Sequence, residues 1–157
     1  MLNEEGARTM AGFTVRQAQQ ADVNNITILM YEYIVDFYQC PKPPLEHVQG
    51  IIHTMLRQQE GIQFVAEENG HLIGFATLYF TYSTTSAQKI TVMNDLYLVE
   101  ESRGGGAATA LFKACHEYSL QNGFARMTWE TAKDNQRAQR FYEKMGGEIE
   151  NVLIYSL

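Results

Sequence analysis

The sequence predicts an α/β fold of three layers, with helices on both faces of a central sheet of mixed, mostly antiparallel direction. Three observations carry that expectation. Runs with apolar residues at every second position interleave with runs whose apolar residues recur every three to four, so strands and helices alternate along the chain. An Asn69-Gly70 pair between two alternating runs marks an antiparallel hairpin. The order of elements (strand, two helices, three antiparallel strands, helix, strand, helix, strand) makes the sheet mixed. At 157 residues, 45% of them hydrophobic and 19% charged, the chain is long enough for one domain with an ordinary core.

Met1 to Thr9 is polar and unpatterned, so residues 1–9 are expected to form a flexible extension ahead of a single domain over 10–157. Phe13 to Ala18 reads as the first strand. Asp22 to about Tyr38 reads as a helix with Val23, Ile26, Met30, Tyr33 and Phe37 on one stripe. Pro41, Pro43 and Pro44 interrupt the chain before a second helix, Leu45 to Gln59. Ile62 to Glu67 and Leu72 to Tyr82 are the hairpin strands, and Lys89 to Val99 is a fourth. A helix over Gly105 to Gln121 buries Ala107, Ala108, Leu111, Phe112, Cys115 and Tyr118, and Gly123 ends it. Phe124 to Thr131 is a fifth strand. Asp134 is the expected N-cap of a helix with Ala138, Phe141, Tyr142 and Met145 on one face, stopped by Gly146. Ile149 to Leu157 supplies one last strand or two.

Bulk properties narrow the function classes. No apolar run approaches membrane-span length, and Met1 to Glu5 lacks the basic start and apolar centre of a signal peptide. Cys40 and Cys115 show neither metal nor disulfide spacing, which fits a reducing cytoplasm. The four histidines form no short-spaced cluster, so no metal is expected. A net charge of −6 argues against nucleic acid as partner.

The most informative segment is Arg103-Gly104-Gly105-Gly106-Ala107-Ala108, which joins the strand ending near Val99 to the helix that follows. Glycines let a ligand approach the backbone, and the first amides of a helix lack intrahelical partners at the positive end of its dipole. With Arg103 beside it, such a turn is a phosphate cradle. A nucleoside-triphosphate loop would need Lys and Ser or Thr after Gly106, and neither precedes Thr109. A dinucleotide fingerprint fails at Thr109, where a third glycine or alanine belongs. The third reading takes Arg103, Gly106 and Ala108 as Arg-x-x-Gly-x-Ala, and the bland reading is a glycine-rich connection without ligand.

A second segment, Asn135-x-x-Ala138-x-x-Phe141-Tyr142-x-x-x-Gly146, follows after a helix and a strand. In that order and spacing the two segments resemble the two signatures of the GNAT superfamily of acetyl-CoA-dependent N-acetyltransferases. Val15-Arg16-Gln17-Ala18 followed by Asp22 resembles the family's opening strand and helix start, so the likeness runs from about Phe13 onward. Ala107 departs from the usual branched residue, Gly147 from the usual Phe, and the tail is short for the family's last two strands. The resemblance implies the acyl-CoA N-acyltransferase fold, with the sheet splayed between strands 4 and 5. It implies that the turn from Arg103 through Gly104, Gly105, Gly106, Ala107 and Ala108 to Thr109 holds the acetyl-CoA pyrophosphate. The pantetheine arm would pair with Leu96-Tyr97-Leu98, the Leu98 amide would face the oxyanion of a tetrahedral intermediate, Asn135 would hold the other side of the arm, and Tyr142 would be the acid at the sulfur.

The base is expected at Asp95, which strand alternation groups with Met93, Tyr97 and Val99, opposite Asn94, Leu96 and Leu98. Glu130, at the end of the fifth strand, is the alternative, and water a third. Acceptor contacts are expected from Glu32, Asp36 and Tyr38, acids and an aromatic suited to an organic cation drawn by the net negative charge. Leu78 to Tyr82 and Asn94 to Leu98 resemble the polyamine and diamine acetyltransferase branch, which usually carries an acid where Asn94 stands. A small-molecule primary amine is the expected acceptor. A noncatalytic CoA-binding sensor is the alternative, and a partner chain completing the sheet edge would make a homodimer.

Overall fold

A computed structural model describes residues 8–10 and 12–157. Strands β1 (Arg8–Met10), β2 (Phe13–Gln17), β3 (Gly61–Glu68), β4 (His71–Ser83), β5 (Gln88–Leu98) and β6 (Met127–Trp129) form one sheet in sequence order. All neighbours are antiparallel except β5 and β6, which are parallel, so the mixed sheet stands as expected. The expected boundary after Thr9 falls inside β1, which pairs with β2 (Arg8 opposite Val15), while residues 1–7 of the expected extension lie outside the described residues.

Helices α1 (Val23–Tyr31) and α2 (Leu45–Leu56) cover one face, α3 (Ala107–Gln121) and α4 (Gln136–Lys144) the other. Strand alternation divides the core accordingly: Val65, Phe75 and Tyr97 pack with Ile26, Met30 and Ile52, while Phe64, Ala76 and Leu78 pack with Leu111, Phe112 and Cys115. Asn69 and Gly70 both take positive φ, 51° and 79°, as a tight two-residue hairpin requires. The entry to α1 is anchored by Asp22, which accepts two hydrogen bonds from Arg16 (2.7 and 2.9 Å) and one from the Gln19 amide (2.7 Å). Burial alone would raise the Asp22 pKa, but those donors outweigh it and hold the carboxyl below its ordinary range.

Four departures from the sequence reading have physical causes. The first helix changes winding: after Tyr31 the chain forms a π-helix over Glu32–Phe37, whose wider turn breaks the 3.6-residue stripe and leaves Phe37 exposed rather than buried. In β5, Leu78 lies opposite Met93 but Thr77 opposite Asp95, so Asn94 is a one-residue bulge. The bulge splits the expected grouping: Asp95 keeps the α1 side with Tyr97, opposite Leu98, as expected, while Met93 packs on the α3 side with Leu98. The fifth strand shrinks to Met127–Trp129, matched to Thr91–Met93 only. Residues 149–157 form no strand, since a three-residue edge offers too few ladder bonds to hold another.

The short pairing of β5 with β6 is what shapes the site. Beyond Met93 the sixth strand ends, and Asn94 to Leu98 keeps a strand neighbour only on the β4 side. This is the splay expected between the fourth and fifth predicted strands.

Candidate active site

The open edge of β5 lies between a glycine turn on one side and α4 on the other. Val99 donates its amide to the Ile73 carbonyl (2.9 Å), so the amides of Leu98 and Leu96, one and three residues back, turn to the open edge. The chain then makes a short 3₁₀ turn, Glu100–Ser102, and reaches Arg103. Gly104 (φ +89°) and Gly106 (φ +93°) adopt a left-handed conformation that a side chain would strain. A Cβ built at either would meet nothing within 4 Å, so space stands open beside this backbone. Gly106 caps α3 without any side-chain hydrogen bond, and the first turn carries no acid, so the amides of Ala107, Ala108 and Thr109 are free of side-chain capping. The turn thus fits an anionic group. Arg103 does not lean over it: its Nε donates to the Leu98 carbonyl (3.1 Å) and its guanidinium lies 5.8 Å from the Phe37 ring. The residue expected to hold phosphate bridges the open edge to the π-helix.

On the opposite side, Asn135 rather than Asp134 caps α4, its Oδ1 accepting from the Ala138 amide (3.1 Å). A longer entry loop, Glu130 to Asn135, moves the helix start one residue on, and the Asn135 side-chain NH₂ stays available as a donor. Tyr142 is wedged against Trp129 (ring centroids 5.4 Å apart) and Phe112 (6.2 Å). Burial first, and the neighbouring Tyr38 second, push its hydroxyl up to about 12, so it is protonated at neutral pH.

Asp95 is 9% exposed. Asn94 Nδ2 donates to its Oδ1 (3.0 Å), and the hydroxyls of Thr77 and Tyr33 also hydrogen-bond the carboxylate. Burial nevertheless dominates and raises its pKa from the ordinary carboxylate value. Glu130 is exposed past the end of β6. Glu32 is half-buried and accepts from the Tyr97 hydroxyl (3.3 Å), Asp36 is exposed, and Tyr38 packs edge-on against Tyr33 (4.9 Å) and Phe37 (5.1 Å).

The fold therefore gathers Asp95, Tyr38 and Tyr142, and adds Tyr33, which the sequence reading assigned to the core. Tyr33 interacts with Asp95, Tyr38 and Tyr142, and burial first, with the Asp95 charge second, raises its pKa. Behind Asp95 lies a second unforeseen polar group, Gln63, whose Nε2 donates to Thr77 Oγ1 (3.1 Å) while its Oε1 is buried without a partner. A polar residue inside the apolar third strand was the available signal for it. Asp36 and Glu130 stay outside the cluster.

A strand edge left open beside an uncapped helix start suited to an anion, with a half-buried tyrosine across the gap, fits an acyl-CoA-dependent transferase. The acetyltransferase (GNAT) family model matches residues 27–147, and the chain belongs to that family. It is 33% identical over 141 residues to the uncharacterized N-acetyltransferase YhfO of Bacillus subtilis (strain 168), covering 90% of this chain and 93% of that one. It is 26% identical over 148 residues to the thialysine N-epsilon-acetyltransferase of Bos taurus, covering 88% and 86%. Among solved structures, the aminoglycoside N-acetyltransferase AAC(6')-Iy in complex with CoA superposes with a TM-score of 0.80 at 19% identity over 99% of both chains, a likeness of fold. The protein is an N-acetyltransferase of this family, which implies acetyl-CoA as the acyl donor. No helix among the described residues is long and apolar enough to cross a membrane, and no group there of three or more His, Cys, Asp or Glu is placed to hold a metal.

Proposed function

We propose that the chain moves the acetyl group of acetyl-CoA to the primary amine of a small molecule, by direct attack through a tetrahedral intermediate. The observation that carries this is the convergence, on one open strand edge, of the outward Leu98 amide, the uncapped α3 start and the buried Tyr142 hydroxyl. The amides from Gly104 to Thr109 hold the pyrophosphate, Leu96 to Leu98 present backbone to the pantetheine arm, and the Asn135 NH₂ steadies it from the other side. Arg103 borders the edge through Leu98 rather than contacting phosphate.

At pH 7 an alkylamine of pKa ~10.4 is less than roughly 0.1% neutral, so a base governs the rate. Asp95 takes the ammonium proton, and its raised pKa suits that role better than an exposed Glu130. The nitrogen then bonds the acetyl carbon as its oxygen meets the Leu98 amide. As the carbon–sulfur bond breaks, Tyr142 gives its proton to the sulfur, and the second proton shed by the nitrogen restores the tyrosine hydroxyl through solvent, leaving the neutral amide and free CoA thiol. Glu32 and Tyr38 border the acceptor's approach, with Asp36 farther out.

Net charge −6 favours a cationic small molecule over nucleic acid or an acidic membrane surface. Two free cysteines, Cys40 exposed and Cys115 buried, support a reducing, cytoplasmic setting. The exposed apolar tail supports pairing of two copies. Thiol release from acetyl-CoA, run against diamines, polyamines, amino acids, aminoglycosides and a peptide, tests the reading. Turnover is expected with small amines; turnover confined to the peptide would refute the small-molecule assignment, and silence with no CoA-induced rise in Tm would refute the cradle.

A further inference from the structure

Three polar side chains form one row across the sheet behind the reacting edge. Gln63 of β3 lies opposite Thr77 of β4, and Thr77 lies opposite Asp95 of β5. Val65, Phe75 and Tyr97, two positions along each strand, pack against α1 and α2, so the row faces the same way. Gln63 is 1% exposed and Thr77 is fully buried, and the Gln63 Oε1 has no partner among the described residues. An unpaired buried carbonyl is less favourable than an apolar side chain of the same shape. The amide hydrogens, by contrast, are both aimed: Nε2 donates to Thr77 Oγ1 (3.1 Å) and faces Met30 Sδ at 3.9 Å.

Thr77 has a single hydroxyl hydrogen. With its oxygen accepting from Gln63, that hydrogen is left for the Asp95 carboxylate, to which Thr77 is hydrogen-bonded. The other groups facing Asp95 are Asn94 beside it, Tyr33 from the π-helix and Tyr79 from β4, while Tyr97, next on its face, gives its hydroxyl to Glu32. None of these is a cation, so neutral donors alone oppose the effect of burial on the carboxyl.

We propose that Gln63 is a positioning residue for acetyl transfer: it fixes the Thr77 oxygen as an acceptor and thereby aims the Thr77 hydroxyl at Asp95. The inference rests on Asp95 being the base. Gln63 acts only through Thr77. An amide turned the other way would pair its oxygen with the Thr77 hydroxyl and take that donor from Asp95, so the unpaired Oε1 follows from the aim.

Selective ¹³C labelling follows the Asp95 carboxyl by NMR through a pH titration, its signal assigned by its loss in Asp95→Asn. Gln63→Met keeps the length and removes the donor. The Asp95 midpoint is expected to move upward, by up to about one pH unit, with Tm unchanged or higher because the unpaired carbonyl is gone. Thr77→Val should move it at least as far, and Thr77→Ser, which keeps the hydroxyl, should leave it at the wild-type value. The double variant Gln63→Met, Thr77→Val should go no farther than Thr77→Val alone. The acid limb of kcat/KM, read with the fastest amine of the panel above, should follow the same order. A midpoint that stays put or falls in Gln63→Met overturns the inference, as do additive shifts in the double variant. A lower Tm with an unmoved midpoint would show Gln63 serving structure alone. An acid limb that persists in Asp95→Asn would remove Asp95 as the base, and with it the role given to Gln63. Silence with every amine would remove acetyl transfer to small amines itself, whatever the midpoint does.

Discussion

Desolvation makes the ionised carboxylate at Asp95 costly, and three hydrogen-bond donors only partly offset that cost. A carboxyl whose folded pKa is raised contributes stability below its unfolded pKa that is lost as pH rises through the folded value. Replacing it by Asn removes the charge and keeps the shape. Asp95→Asn is therefore expected to raise Tm at pH 7–8, by a margin that shrinks toward pH 4, while acetyl transfer falls about a hundredfold. A lower Tm across that whole range would show that the residue serves structure instead. Tyr142 lies on the opposite side of the edge, already protonated, and its removal tests only the acid. Tyr142→Phe should cut kcat about a hundredfold with CoA affinity, read by calorimetry, nearly unchanged; equal turnover would end the acid assignment. Asp95 was legible as an ionisable group in an apolar strand. Its face, shared with Tyr97 and opposite Leu98, was legible too; that of Met93 was not, because a single-residue bulge at Asn94 leaves no mark on the alternating pattern it shifts.

Among the elements, those defined by backbone demand were the easiest to foresee. The turn at Gly104 and Gly106 requires positive φ, and the hairpin at Asn69-Gly70 requires it twice, so the residue types declare the geometry. The π-helix over Glu32–Phe37 has no such requirement; its residues read equally well as a continued α-helix, and only packing of Tyr33 against Phe75 and Tyr97 reveals the change. The start of α4 divides one side chain between a cap and the proposed ligand contact. Asn135 spends its oxygen on the Ala138 amide, which leaves its NH₂ free for the contact proposed with the pantetheine arm. Asn135→Ala should cost about 1 kcal/mol of stability by urea denaturation and weaken acetyl-CoA binding as well. Asn135→Asp keeps the cap and replaces the donor by a carboxylate, so its stability should match wild type while KM for acetyl-CoA rises about tenfold. An unchanged KM in the Asp variant would confine Asn135 to capping.

At the scale of the whole molecule the unfinished part is the edge beyond β6. Sequence reading placed a strand there because Ile149, Val152, Leu153, Ile154, Tyr155 and Leu157 look like one, yet all six are exposed. Among the described residues, what ties the segment down is one ion pair, Arg126 to Glu150 at 2.7 Å, between half-exposed side chains and therefore worth well under about 1 kcal/mol. That contact sets residue 150 beside the start of β6, while Gly147 lies against Trp129 at its end. The segment thus runs opposite in direction to β6 and passes its start by residue 150. Residues 152–157 then extend beyond the β6 edge of the sheet, carrying most of the apolar side chains with them. Burying such a row against a second copy would cover an edge that otherwise invites unspecific pairing. Sedimentation at micromolar concentration is expected to give a dimer for the full chain and a monomer once residues 149–157 are removed. Because Asp95, Tyr142 and the α3 start all lie in one chain, the shortened monomer should still bind CoA, read as a rise in Tm. A full chain that sediments as a monomer would refute the pairing, and a shortened chain that stays dimeric would move the contact elsewhere on the molecule.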